Sequence, residues 1–358
     1  MYFGIDRHVV SSLKLRSIDF DKLESKSNVK KSFQGDVTVE TVDRNSGEYR
    51  NFTSISISND ERFGGLLLGC KKNGNKKTEY VKMDVFVSEP GGNNLIPLDT
   101  IEIMDKHYEL LGYIDDEYGI ELSDRESKYT YLEINHTVKL EEDSKEYQGV
   151  MDIIQYIAPA RYKDISIRRD NKDGEIRFIS YDNKSMRIKI YNKTRQIKQE
   201  KKQELDDLYF RIEICLNDSK KIISVFGTND VRKITDEMIK DYYKKTIKKD
   251  VFDNIDKYIK ASDKAIEDKK KEFKKASKTG WTSAICGVIG KKIEFNGKQV
   301  DMVFDIEQVK ASIRKDIKSK SNYNRTMKTY GKELEEAKHK KNNLVRYQEV
   351  KEKILDIN

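Results

Sequence analysis

The sequence predicts an α+β protein: a β-rich N-terminal half followed by a mainly helical, basic C-terminal region. Three observations carry this. Up to about residue 230 the apolar residues fall in short alternating or β-branched runs, broken by Gly, Asn, Asp and Lys clusters. From about 232 the chain becomes Lys, Asp and Glu spaced by apolars at helical intervals. The charge changes at the same place. Residues 231–358 hold 33 Lys+Arg against 21 Asp+Glu, a balance of +12, whereas the remaining 37 against 41 leave −4.

Residues 1–98 form the β-rich N-terminal part. DVTVETV, FTSISISN, GGLLLGC and YVKMDVFV read as strands, and Pro90-Gly91-Gly92-Asn93-Asn94 as a turn. Residues 99–230 form a second part. Asp99 is placed to cap a helix from Thr100, with Ile101, Met104, Tyr108 and Leu111 as its apolar stripe and Gly119 as its stop. YTYLEINHTVKL (129–140) is a strand, and a helix follows over about 144–158 until Pro159 ends it. KDISIRR (163–169), GEIRFISY (174–181), SMRIKIYNK (185–193) and LYFRIEICL (208–216) are further strands. Residues 231–358 are the basic helical part: helix over 232–278, an apolar segment GWTSAICGVIG (280–290), and helical blocks over about 306–320 and 322–356.

Composition narrows the function classes. A chain of 358 residues has room for two or three domains and ample core. Charged residues make up 37%, well above the usual quarter or so, yet 20 Tyr and 13 Phe argue against disorder. No apolar run suits a membrane-spanning helix, and the opening MYFGIDRHVVSSLKLRSIDF lacks the apolar core of a signal peptide, so a cytoplasmic location is expected. Cys70, Cys215 and Cys286 are scattered and odd in number, which disfavours a disulfide framework or a thiolate cage. The positive C-terminal part suits a polyanion or simply solvated helix faces.

Strand side chains alternate faces, and that periodicity groups the polar residues. Arg187, Lys189, Tyr191 and Lys193 share one side of 185–193, opposite Ile188 and Ile190. Arg211, Glu213 and Cys215 oppose Phe210, Ile212, Ile214 and Leu216. Glu133, Asn135 and Thr137 oppose Leu132, Ile134, His136 and Val138. If the three strands share a sheet, one side gathers a tyrosine, two carboxylates, an Asn and several cations. Oxygen donors of this kind suit Mg²⁺ or Mn²⁺, and the cations suit a phosphate backbone. The same alternation also describes strands whose polar side merely faces water.

The run from 185 to 216, with KIYNK and then RIEICL, resembles plasmid rolling-circle replication initiators and the replication endonucleases of filamentous phages. In these a basic strand, apolar-Tyr-x-Lys, precedes a strand reading apolar-Arg-apolar-Glu. YLEINHTVKL resembles their acidic strand, and EPGGNNLIPL is similar to a Gly-Asn turn of phage-type members. The resemblance covers about 85–220, with the motifs in the same order. It implies a nicking-endonuclease-like sheet backed by helices, and rolling-circle replication of a plasmid or phage-like element.

On that resemblance Tyr191 is the nucleophile for a scissile phosphodiester of single-stranded or extruded origin DNA, with Lys193 beside it. Glu133, Asn135 and Glu213 would hold Mg²⁺ or Mn²⁺, and Arg187, Lys189 and Arg211 would contact DNA. A host helicase and a second copy of the chain are the further partners it implies. A free phenol ionises near pH 10, so neighbouring cations are needed to favour the phenolate. Tyr181, at the end of the preceding strand, is the rival tyrosine. His136 reads as a core or helix-contact residue rather than a ligand. The sequence departs from the family at Gln196, where many members carry an acid, and at Glu133 and Asn135 in the acidic strand. These departures leave open a non-catalytic DNA-binding relative.

Overall fold

The computed structural model describes residues 1–33, 37–58, 60–73, 76–86, 95–124, 126–276, 292–301, 314–315, 317–328 and 346–357. The expected turn at 90–94, the apolar segment 280–290 with Trp281 and Cys286, and much of the two last helical blocks lie outside the described residues.

The fold is α+β, as the sequence predicts. Ten antiparallel strands form the main sheet, in the order β11-β12-β13-β14-β10-β1-β8-β7-β6-β3. Along the chain these are β1 (Tyr2–Ser11), β3 (Val29–Ser32), β6 (Ser54–Ser58), β7 (Gly65–Asn73), β8 (Lys76–Phe86), β10 (Lys128–Leu140), β11 (Asp164–Arg169), β12 (Ile176–Asp182), β13 (Met186–Asn192) and β14 (Leu208–Leu216). A four-stranded sheet, β5-β4-β2-β9, is built from β2 (Lys14–Ile18), β4 (Val39–Asp43), β5 (Tyr49–Phe52) and β9 (Ile120–Ser123). β15 (Lys292–Phe295) and β16 (Lys298–Asp301) form a hairpin.

The main sheet runs through the 98/99 boundary, because β1 lies between β8 and β10. The opening segment therefore sits mid-sheet. Gly4 lets it do so: a Cβ there would stand 2.3 Å from the Leu98 carbonyl oxygen. The exchange of Ile5 and Leu98 backbone bonds seals this approach.

The described helices are α1 (Phe20–Glu24), α2 (Thr100–Tyr118), α3 (Gln148–Ile154), α4 (Lys193–Lys201), α5 (Ser219–Phe226), α6 (Asp236–Ile247), α7 (Asp253–Ala276) and α8 (Tyr347–Leu355). α2 starts and stops where the sequence predicts. The Asp99 carboxylate accepts from the Ile101 and Glu102 amides, the Glu102 side chain completes the capping box, and Gly119 closes the helix at φ 67°. Its buried stripe differs from the expected one. Ile103, His107, Leu110, Ile114 and Tyr118 face inward, while Ile101 is 69% and Tyr108 50% exposed. The expected stripe began at the first apolar residue; the buried one spans more turns and includes a histidine.

Ile188, Ile190, Ile212 and Ile214 occupy the apolar side of the main sheet. The C-terminal region covers that side rather than standing apart. On α6, the Tyr243 hydroxyl donates to the Ile212 carbonyl at 3.0 Å, and Tyr242 contacts the Met186 sulfur at 3.0 Å. On α8, the Ile354 carbonyl lies 3.0 Å from His136 Nδ1, which makes His136 the helix-contact residue the alternation predicts.

Candidate active site

Register decides which side chains meet. On the three central strands Glu133, Cys215 and Arg187 form one cross-strand row; Asn135, Glu213 and Lys189 form the next; Thr137, Arg211 and Tyr191 form the third. All three rows lie on the side away from the isoleucines, so the polar faces of β10, β13 and β14 do share one side of one sheet.

Tyr191 is 6% exposed and its hydroxyl donates to Glu213 Oε1. The Lys189 ammonium bridges two carboxylates, at 2.9 Å from Glu213 Oε2 and 3.1 Å from Glu133 Oε1. Tyr131 donates to Glu133 Oε2 at 2.6 Å, and the Cys215 thiol approaches the same oxygen at 3.6 Å. Arg211 is fully buried, which places it behind the other groups rather than on a DNA-facing surface. Its Nε donates to Thr137 at 2.6 Å, its Nη2 to the Leu95 carbonyl at 2.9 Å, and its Nη1 stands 3.2 Å from Asp6 Oδ2 and 3.6 Å from Glu213 Oε1.

Lys193 lies beside Tyr191, as the period-two count expects, but it belongs to α4 and not to β13. Asn192 ends the strand and caps α4 by accepting from the Arg195 amide, so Lys193 opens the helix. It is 2% exposed, lies 5.8 Å from the Tyr191 ring centroid, and donates to Gln196 at 3.0 Å. Gln196 thus positions this lysine. Arg187 pairs with Asp182 at the rim. Asn135 is fully buried; its Oδ1 accepts from Thr137 at 3.4 Å, and its Nδ2 has no hydrogen-bond partner among the described residues. Tyr181 points to the opposite side, where its hydroxyl donates to the Ile154 carbonyl, which removes it as a rival nucleophile.

Burial and charge tune these groups apart. Burial, reinforced by the Glu213 charge, holds the Tyr191 phenol well above its ordinary range. Burial and then the Glu213 charge push Glu133 up to about 7. Burial opposes ionisation of Glu213 as well, but Lys189, Arg211 and the Tyr191 hydroxyl outweigh it and hold this carboxyl down, at about 2. Burial, helped by Arg211, brings Lys193 down to about 8.

The polar side opens into a cavity of about 340 Å³. Arg168, Arg177, Arg187, Lys189 and Arg195 line it together with Phe178, Tyr191, Glu133, Glu213 and Asp6. The Arg168 guanidinium lies 5.0 Å from the Phe178 ring centroid. Sequence reasoning missed Arg168, Arg177 and Arg195 because they belong to three different elements. It missed Asp6 because the expected strands leave out the opening segment. Alternation from Ile5, opposite Ile134, places Asp6 on the polar side, and the bulge between Ile5 and Arg7 keeps Arg7, opposite Glu133, on that side as well.

Ligand atoms of Glu133, Glu213 and Cys215 all lie within 4.8 Å of one another. Two carboxylates and a thiol at this separation fit a divalent ion. The place between the carboxylates is held by the Lys189 ammonium.

No family model and no curated protein matches the chain. Among solved structures it is similar to one titled a rolling circle replication initiator protein from Geobacillus stearothermophilus. The two share 13% identity over 62% of this chain and 77% of that one, with a TM-score of 0.31. A likeness this distant carries no function from one chain to the other. The described helices include none long and apolar enough to cross a membrane.

Proposed function

We propose that the chain is a DNA-nicking replication initiator of a plasmid or phage-like element, with Tyr191 as nucleophile. The observation that supports this most is the convergence of Tyr191, Glu213, Lys189 and Glu133 at the floor of an arginine-lined cavity. The resemblance of the KIYNK and RIEICL motifs suggests the family, and the roles are proposed from the geometry. A scissile phosphate seated among Arg168, Arg187 and Arg195 would face the Tyr191 oxygen. As that oxygen attacks phosphorus, its proton leaves to solvent in the cavity by way of Glu213, the acceptor it already addresses. A 5′-phosphotyrosine forms and the 3′-oxygen leaves. The leaving oxygen takes its proton from solvent, and Lys193, 5.8 Å from the Tyr191 ring centroid, would favour the phenolate. Glu133, Glu213 and Asn135 are the residues that would hold Mg²⁺ or Mn²⁺, which when bound would offset charge on the phosphate.

The test uses the full chain and a supercoiled plasmid bearing the cognate origin, with Mg²⁺ or Mn²⁺. Wild type should give relaxed circles and protein attached to a 5′ end. Tyr191→Phe should give neither while still binding the origin. Nicking that survives Tyr191→Phe would overturn the assignment.

A second reading is a DNA-binding protein without catalysis. The burial of Tyr191 and its bond to Glu213 favour it, since a phenol held well above its ordinary range is a poor nucleophile until its proton moves. Origin binding with no nick under either metal would support this reading.

A further inference from the structure

We propose that Lys189 is an exchangeable internal cation, and that a borderline-soft divalent ion of the Zn²⁺ or Co²⁺ type takes its place, held by Glu133, Glu213 and the Cys215 thiolate. This rests on the metal-assisted reading above for the Glu133–Glu213 pair, but puts Cys215 in place of Asn135 and a borderline-soft ion in place of Mg²⁺ or Mn²⁺, and names the group that competes with the ion.

The geometry points to an occupied cation position. Lys189 Nζ lies within 3.1 Å of both carboxylates, as a compact point charge. Cys215 stands beside it on the next strand, its sulfur 3.6 Å from Glu133 Oε2. The three ligand atoms already lie within 4.8 Å of one another, so they need little rearrangement to share an ion. Lys189 has somewhere to go: its side chain is 19% exposed and lines the cavity. A second, independent feature is Asn135. Its fully buried Nδ2 has no partner among the described residues, although Asn135 is the cross-strand neighbour of Glu213. An unsatisfied buried donor beside Glu213 leaves room for one more acceptor, such as a water bound to the ion.

The charge balance makes the exchange cheap. An ammonium with a neutral thiol carries +1; a divalent ion with a thiolate also carries +1. Lys189 leaves with its proton, the Cys215 S–H bond breaks, its proton goes to solvent, and the sulfur electron pair makes the new bond to the ion. The buried carboxylates see no net change. A thiolate also selects against Mg²⁺, which favours all-oxygen coordination.

The test is Co²⁺ titration of the metal-free full-length protein without DNA, followed by thiolate-to-cobalt charge-transfer absorption and by proton release. Wild type should show the absorption and release a proton on binding. Cys215→Ser should lose the absorption, and Lys189→Met should bind Co²⁺ tighter by about ten-fold or more, since an internal competitor is gone. No absorption in wild type, absorption that survives Cys215→Ser, or unchanged affinity in Lys189→Met would overturn the inference. Lys189→Gln replaces Lys189→Met should the latter fail to fold, judged by circular dichroism, and wild-type proton release stands independently of both. Cobalt–thiolate absorption without origin nicking would keep this inference and sink the nicking reading; Mg²⁺-supported nicking without the absorption would do the reverse.

Discussion

Replacing Arg211 by Met tests whether the buried ion network holds the central strands together. The side chain is fully buried on β14, and its partners include the Asp6 and Glu213 carboxylates, the Thr137 hydroxyl and the Leu95 carbonyl. Met fills much of the same volume, so the cavity term is small. What remains is two buried acceptors without their cation, of which Glu213 keeps Lys189. Breaking a buried pair by removing one partner costs on the order of 3–5 kcal/mol. With a urea dependence of roughly 3 kcal/mol/M, the midpoint should fall by about 1–1.7 M. The assay is urea unfolding of the full chain followed by circular dichroism. Asp6→Asn in the same background supplies the control, because it removes the charge that Arg211 leaves behind. The double variant should be less damaged than the two single losses added, by roughly 1 kcal/mol or more. A midpoint shift of Arg211→Met within error of zero, or strict additivity with Asp6→Asn, would refute the network argument.

Other outcomes follow from separate features. Gly4→Ala should lower the thermal midpoint by several degrees in differential scanning fluorimetry, since its Cβ would collide with the Leu98 carbonyl at 2.3 Å. His8 is buried with neither ring nitrogen partnered among the described residues; burial, then His107 and Lys106, lower it to about 3, while burial lowers His107 as well. Their folded values lie below the unfolded value of about 6.5, so stability is full above that pH and falls as acid titrates the unfolded chain. Denaturant midpoints at pH 7.5 and 5.0 should show the loss, and His8→Phe should reduce it. Arg168→Gln and Arg195→Gln at the cavity should each weaken single-stranded DNA binding and lower the log–log salt slope by about 0.7, measured by fluorescence anisotropy at several salt concentrations.

Much of the fold was legible where local signals agree with tertiary packing. The Asp99 cap and Gly119 stop act within a few residues, and β10, β13 and β14 alternate without interruption, so both are readable from spacing alone. The convergence of Glu133, Glu213 and Tyr191 on one side follows from that alternation. What could not be read depends on long-range register. β1 pairs with β10 across more than a hundred residues, so the bond of Asp6 to Arg211 leaves no trace in local spacing. The end of β13 was misread because an Asn cap starts α4 at Lys193, one residue earlier than the pattern suggested, although Lys193 still lies beside Tyr191. The +12 balance marked the C-terminal region as basic, but it could not show that α6 and α8 cover the sheet through Tyr243 and Ile354. A chain cut at residue 230 would therefore expose the isoleucine side of the sheet, and point substitutions are the sounder probe of that region.

Glu133 is the residue where stability and use part company. Burial and the neighbouring Glu213 charge push its carboxyl up to about 7, against about 4.5 for an ordinary Glu. The folded state therefore holds a proton that the unfolded chain has released between those values. Stability is lost as pH rises through that window, by on the order of 1–3 kcal/mol once Glu133 is fully charged. An amide at this position carries no such penalty. It can still accept from Lys189, and Tyr131 and Cys215 can each accept from its nitrogen. Glu133→Gln should accordingly melt higher than wild type at pH 8 and show no such gain at pH 5, where the wild-type carboxyl is already neutral. A buried carboxylate retained at such a cost is the pattern expected of a group kept for its chemistry. Equal destabilisation of Glu133→Gln at both pH values would show instead that its bonds to Lys189 and Tyr131 hold the sheet together, and would remove this argument for a functional site.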